Sequence, residues 1–383
     1  MATERTLSSS HDIASHSADR TKRVLIVRIG AMGDVLHAMP AVAALRDLHP
    51  DWFIGWAIEP AWSVLLQAST DHHRITHKAG RSESRPLVDR WHPFPARGWK
   101  KRLFALSTLK EIYSVSRELR ACEYDLCVDM QGSLKSATAG RIAGAHVFVG
   151  PAKARETAAR WLYGRQVTTT STHVVEQGCE LLGAAVSETL KPAAVTLPVN
   201  PQAEAWCDRL LTQTSSIEGK FAYLAPTAGW GAKQWPAERY GAVAAALGRA
   251  GYHVLVNESP GHRFADAVVE ASGDVAISVP CSVEQMLALM RRTGVVIAGD
   301  TGPLHLAAAL ERPLVGLYGP TDPARNGPYM ADASRARVLR HESSKTDHSR
   351  HANTESGLLQ ITVEEVVEAA LELLRTGQDK VKV

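Results

Sequence analysis

Short apolar runs alternate with amphipathic stretches along most of the chain. VLIVRI (24–29), FIGWAI (53–58), YDLCVDM (124–130) and HVFVG (146–150) read as buried strands, each a continuous apolar run too short for a helix. HAMPAVAALRDLHP (37–50), TLKEIYSVSRELRAC (108–122) and SLKSATAGRIAGA (133–145) repeat their apolar positions every three or four residues and read as the helices between them. A second set begins near residue 221. FAYLAPT, YHVLVNE, AISV, GVVIAGD and PLVGLYG are its strands, and PAERYGAVAAALGRAG, GHRFADAVVEASG, SVEQMLALMRRT and PLHLAAALE its helices. Strand–helix alternation of this kind builds parallel α/β sheets. SETLKPAAVTLPVNPQ (187–202) has three prolines and no helical period, which makes it the linker between two doubly wound, Rossmann-like halves at 22–186 and 203–360. Residues 338–357 read as a polar loop, and ITVEEVVEAALELLRT, behind a Thr362 cap, as a closing helix within 361–383.

A length of 383 residues fits two cores better than one. Residues 1–21 are polar and lack the apolar stretch of a secretory signal, so the expectation is a disordered tail on a cytoplasmic protein. Five scattered cysteines form no CxxC pair, and the histidines show no zinc spacing, which points to a reducing compartment and no metal site. A net charge of +3 is too small to argue for nucleic acid, while leaving room for a local basic patch.

In a doubly wound sheet, ligands bind beyond the carboxyl ends of the strands, and three stretches stand there. In RIGAMGDVLH (28–37), Gly30 and Gly33 shape a strand-to-helix turn that offers one carboxylate, Asp34. Asp34 is either a helix cap or a general base. The spacing fits neither a dinucleotide fingerprint nor a P-loop, which weakens an oxidoreductase or epimerase reading. In LAPTAGWGAKQWP (224–236), Thr227 and Lys233 lie in a glycine-containing loop suited to a diphosphate, or Lys233 is simply solvated. In GVVIAGDTGPLHLAAAL (294–310), Asp300, Thr301 and Gly302 open a helix with His305 in its first turn, an anion-binding arrangement in which His305 is either a ligand or a packed residue.

Together these stretches resemble the heptosyltransferases of glycosyltransferase family 9, most closely their lipopolysaccharide heptosyltransferase I branch. VDMQGSLKSA (128–137), ARETAARWLYGR (154–165) and YGPTDP (318–323) extend the resemblance from about residue 22 to 330. It implies a GT-B fold, with the acceptor on the N-terminal half and ADP-heptose on the C-terminal half. The implied reaction is an inverting, metal-independent transfer of heptose to a Kdo residue of the lipopolysaccharide inner core, without a cofactor, at the inner face of the inner membrane. Asp34 then corresponds to the base, aided by Lys233 at the leaving group. Gly33, Thr227, Lys233, Asp300, Thr301, Gly302 and His305 correspond to the donor site, with Glu258 or His262 at the ribose. The basic stretch RGWKKR supplies Arg97, Lys100, Lys101 and Arg102 for an anionic Kdo-lipid A acceptor, or forms a solvated face. Gln131, Lys135, Arg155 and Arg160 join that acceptor set, and Trp91 and Trp99 are the candidates for touching an anionic leaflet. Within the same family, a second-heptose or another cell-surface acceptor remains the rival reading. Residues 338–357 match nothing in the family pattern.

Overall fold

The computed structural model describes residues 21–69, 81–102, 105–258, 263–347, 349 and 351–381. Residues 1–20 of the tail expected at 1–21, and the alternative ribose ligand His262, lie outside them. The first half runs β1 (Arg23–Val27), α1 (Met32–Leu48), β2 (Phe53–Ile58), β3 (Arg90–Pro93), α2 (Ala96–Lys101), α3 (Leu106–Arg120), β4 (Leu126–Asp129), α4 (Leu134–Ala143), β5 (Val147–Pro151), β6 (Arg165–Val167) and α5 (Val174–Val186). The second half runs α6 (Pro201–Gln213), β7 (Phe221–Ala225), α7 (Ala237–Arg249), β8 (His253–Glu258), α8 (Phe264–Ala271), β9 (Ala276–Pro280), α9 (Val283–Arg292), β10 (Val295–Gly299), α10 (Gly302–Ala309), β11 (Leu314–Tyr318), α11 (Pro323–Asn326), β12 (Ala336–Arg340) and α12 (Val363–Val381).

Each half holds a six-stranded sheet, ordered β3-β2-β1-β4-β5-β6 and β12-β11-β10-β7-β8-β9. All named pairings are parallel, and read from the opposite edge the second sheet has the winding of the first. This is the two-Rossmann GT-B architecture. Each sheet reverses its winding between its first and fourth strands, and a crevice opens there because successive crossovers leave in opposite directions. The turns after β1, β4, β7 and β10 meet at those two points.

The central strands β1, β7, β10 and β11 are buried throughout except Arg23, as continuous apolar runs require. Sequence pattern missed the edge strands β3, β6 and β12, because RWHP, RQV and ARVLR have neither the length nor the apolar content of a central strand. It also left out α5, and it assigned to the linker the start of α6, where Asn200 caps the first turn with Pro201 behind it. The closing helix α12 packs on α7 and against β10 and β11.

The two halves meet where α1 packs along α10. Gly302 makes this approach possible, since a Cβ there would lie 2.2 Å from Met32 Cε and 3.0 Å from its Cβ. Linker residue Ala193 hydrogen-bonds the carbonyl of Pro40 in α1.

Candidate active site

The turn after β1 is tightly specified. Helix α1 starts at Met32, so Asp34 stands in its first turn, where the exposed amides favour a negative charge. The capping alternative fails: the cap position is Ala31, and no side chain caps the helix. Asp34 Oδ1 instead pairs with Arg28 Nη2 at 3.0 Å, while Arg28 Nε donates to the Asp34 carbonyl at 3.0 Å and Nη1 to the Met130 carbonyl. One guanidinium thereby fixes the carboxylate against the end of β4. The side chain of Asp34 is 37% exposed, so one oxygen can be held while a ligand reaches the other.

Gln131 reinforces the turn from β4. Its Oε1 accepts the amides of Ile29 (2.9 Å) and Gly30 (2.8 Å), and its Nε2 donates to Ser133 Oγ at 2.8 Å. The side chain expected to touch the acceptor is thus consumed in bracing the turn that carries Asp34. Behind it, buried Asp129 accepts from Gln131 N, Gly132 N, Ser136 Oγ and Tyr163 Oη. Burial raises its carboxyl above the usual range despite these four donors.

On the opposite half, three expected residues form one cluster. Asp300 Oδ2 lies 2.5 Å from Lys233 Nζ, and Asp300 Oδ1 lies 3.0 Å from His305 Nε2. Burial alone would raise the Asp300 carboxyl, but the His305 hydrogen bond and the Lys233 ammonium hold it far below the usual carboxylate range. Thr301 is the α10 cap position, yet its hydroxyl donates to the Gly299 carbonyl at 3.2 Å, which leaves the first turn of α10 without a capping side chain. Thr227 follows β7, half-buried, and Glu258 ends β8, with its side chain outside the described residues.

Lys233 rides on the short 3-10 turn Gly231–Lys233, and residues 351–355 strap that turn down. Ala232 N donates to the His351 carbonyl (3.1 Å), Glu355 N to the Ala232 carbonyl (3.0 Å), and Thr354 Oγ1 to the Gln234 carbonyl (2.7 Å). A Cβ on Gly231 would stand 1.7 Å from Ala352 O. Glu355 ties the strap to itself by accepting from Ser344 Oγ and Leu358 N.

The two clusters touch. A Cβ on Gly33 would lie 2.8 Å from His305 Cδ2, and the ring of His37, one turn beyond Asp34, stands 4.2 Å from that of His305. His173, in the cap position of α5, completes the row at 5.9 Å from His37 and hydrogen-bonds the Gly327 carbonyl. Burial, then the neighbouring His305 and His173, hold the His37 imidazole well below its ordinary value. A cavity of about 20 Å³, room for one water, lies beside it between His37, His305 and Tyr329.

A carboxylate and a lysine–histidine–aspartate cluster thus stand at the two sheet switch points, joined through Gly33 and His305. The family model described as glycosyltransferase family 9 (heptosyltransferase) matches residues 112–356, well over half of the chain. The chain belongs to glycosyltransferase family 9. As a family 9 glycosyltransferase it is 29% identical to lipopolysaccharide heptosyltransferase 1 of Salmonella typhimurium over 312 residues, covering 80% of this chain and 91% of the relative. It is also 29% identical to the protein of that name from Escherichia coli strain K12, over 318 residues, 80% of this chain and 91% of that one. The structure of E. coli heptosyltransferase WaaC with ADP superposes with a TM-score of 0.71 at 25% identity, over 92% of this chain and 99% of that one.

The remaining expected residues of this family 9 enzyme are dispersed. Arg97 lies on α2, its guanidinium 6.0 Å from the Trp62 ring, and Arg102 is exposed just beyond. Lys100 and Lys101 are in α2, with side chains outside the described residues. Trp99 is buried against Phe94, and half-buried Trp91 donates to Gln67, so neither is presented to a leaflet. Lys135 is exposed in the first turn of α4, whose cap is the reciprocal Ser133–Ser136 pair and not the lysine. Arg155 is exposed in the loop packed over Gly132, and Arg160 donates to Gln166. Arg28, His37 and His173 were missed. A cation closing a buried strand six residues before an aspartate is the only signal for Arg28, and the histidine row has none, since α5 and α1 meet only in the fold.

Among the described residues no helix is long and apolar enough to cross a membrane, and no three His, Cys, Asp or Glu side chains gather as metal ligands do.

Proposed function

We propose that the enzyme transfers L-glycero-D-manno-heptose from ADP-heptose to a Kdo residue of the lipopolysaccharide inner core, with inversion and without a metal. Two relatives carry the name lipopolysaccharide heptosyltransferase 1 over four-fifths of this chain, and one superposed structure contains ADP. The observation that carries the mechanism is the Arg28-held Asp34 carboxylate facing the Lys233–Asp300–His305 cluster across the junction of Gly33 with His305.

In this reading Asp34 accepts the proton of the attacking Kdo hydroxyl. The new bond to the anomeric carbon forms on the face opposite the breaking bond to the diphosphate oxygen, and ADP leaves with that electron pair. Arg28 holds Asp34 in place. Lys233 swings from Asp300 towards the departing phosphate, joined there by the first amide of α10, which together supply positive charge where negative charge develops. Gln131 and Asp129 hold the turn, and the exposed Arg97, Arg102, Lys135 and Arg155 meet the anionic acceptor at the enzyme's place on the inner membrane face.

The test is transfer from ADP-heptose to Kdo-lipid A, with and without EDTA, by wild type, Asp34→Asn and Lys233→Ala. Wild-type activity should survive EDTA. Asp34→Asn should keep donor binding and lose at least about 100-fold in turnover, the scale of general base catalysis, while Lys233→Ala should weaken donor binding as well. Donor binding without transfer to Kdo would move the acceptor assignment elsewhere, and an active Asp34→Asn would remove the base.

A further inference from the structure

Helix α3 presents apolar side chains in the wrong direction for a helix that only covers a sheet. Thr108, Val115 and Leu119 form its buried face. Leu106, Leu109 and Tyr113 are 76%, 53% and 67% exposed. At 3.6 residues per turn these three, with Lys110 and Arg117, fall within an arc of about 100° diametrically opposite the buried face. A solvated surface there would be charged and polar. The acids of α3 are also turned away from that arc: Glu111 accepts from Trp99 Nε1 at 2.9 Å, and Glu118 accepts from Arg90 at 2.8 Å and faces His92 Nδ1 at 3.1 Å. What faces outward is therefore apolar and cationic.

The position of this face matters as much as its composition. Helix α3 begins at the carboxyl rim of the first sheet, directly after β3 and the basic helix α2, so Leu106 and Arg102 stand on the side where acceptor would enter. Helix α4 packs against α3 on one side and the short turn Thr157–Leu162 on the other. That turn carries Trp161, 84% exposed, between Arg155 and Arg165. Leucines and aromatics ringed by basic side chains make the composition of a helix that lies in a lipid interface: the apolar arc enters the headgroup boundary and the cations pair with anionic headgroups.

We propose that the outward face of α3, with Trp161 as a second point, docks onto an anionic bilayer leaflet. This places the enzyme so that its acceptor rim looks along the membrane surface. The inference rests on the proposed lipid-anchored acceptor, yet it is read by a measurement that needs no transfer. It replaces half-buried Trp91 and buried Trp99 as membrane contacts.

The test is co-sedimentation of the full chain with vesicles of phosphatidylglycerol and phosphatidylcholine, and with phosphatidylcholine alone. Wild type should bind the anionic vesicles and release them at high salt, and bind the neutral ones weakly. Leu106→Ser/Leu109→Ser/Tyr113→Ser should bind the anionic vesicles at least about 30-fold less, from the loss of three inserting side chains. Its melting temperature should be unchanged, because none of the three contributes to the core. Trp161→Ser should show a smaller loss. Wild-type binding to anionic vesicles that the triple variant retains overturns the proposal. So does a wild type that ignores vesicles but forms a concentration-dependent dimer abolished by the triple substitution, since the face then belongs to a second copy. Vesicle binding by an enzyme that transfers no heptose would leave the docking surface intact and refute only the reaction.

Discussion

Replacing Gly33 with alanine separates two roles for that glycine. Gly33 lies inside α1 with ordinary helical backbone, so alanine adds no strain of its own. In an isolated helix the change would stabilise by roughly 0.5–1 kcal/mol. Here the new Cβ would stand 2.8 Å from His305 Cδ2, about 0.6 Å inside ordinary contact, which starts at 3.4 Å. The ring has little room to move, being held by Asp300 at 3.0 Å and faced by His37 at 4.2 Å. Either α1 and α10 separate or the Asp300 bond breaks. Overpacking of this kind costs about 1–3 kcal/mol, so after the helix-propensity gain we expect a net loss of about 1 kcal/mol in stability, and a lower kcat/KM wherever the His305–Asp300 bond is displaced. Thermal melts and steady-state transfer assays read the two effects separately. In a His305→Ala background the clash is absent, and Gly33→Ala should be neutral or stabilising, which gives a coupling of about 2 kcal/mol between the sites. A single variant that melts higher than wild type and keeps its kcat/KM would refute the contact, because only helix propensity would then be at work.

Two further outcomes follow from the same geometry. His37 is held below its ordinary value in the folded state, mainly by burial, so the unfolded chain takes up its proton first. Stability is therefore complete above about pH 6.5 and falls below it, by up to about 1.4 kcal/mol per pH unit for this group. His173, lowered by burial as well, adds to the slope. Asp300, held low, gives a contribution lost only in stronger acid, below the ordinary carboxylate range. Melting curves from pH 7.5 to 5.5 should flatten in His37→Gln; an unchanged slope would assign the titration elsewhere. Gly231→Ala should displace the strap, since the new Cβ meets the Ala352 carbonyl and not a flexible side chain. Calorimetry with ADP should show affinity lower by about 10-fold, the equivalent of one or two lost hydrogen bonds, and unaltered affinity would mean that the strap does not set the position of Lys233.

Local pattern determined much of this protein. Continuous apolar runs identified the central strands of both sheets, because a strand covered on both faces must be apolar at every position. The glycine–aspartate, lysine-loop and aspartate–threonine–glycine stretches were legible for a related reason: the topology requires ligands at carboxyl ends of strands, and each stretch stands at one. Edge strands β3, β6 and β12 were hidden, since an edge needs only a few residues and tolerates polar ones. Tertiary structure alone decided how side chains were used. Asp34 is paired with Arg28 and is not a cap, because Arg28, held by the end of β4, reaches it first. Gln131 turns inward because two amides of the neighbouring strand's turn need an acceptor. The glycines Gly33 and Gly302 serve helix contact between the halves, a distance that no run of residues encodes. Leu109 and Tyr113 of α3 read as part of a helical period, and only the location of the sheet showed which side of that helix was buried. Sequence spacing records which residues share a face; the fold alone sets what that face meets.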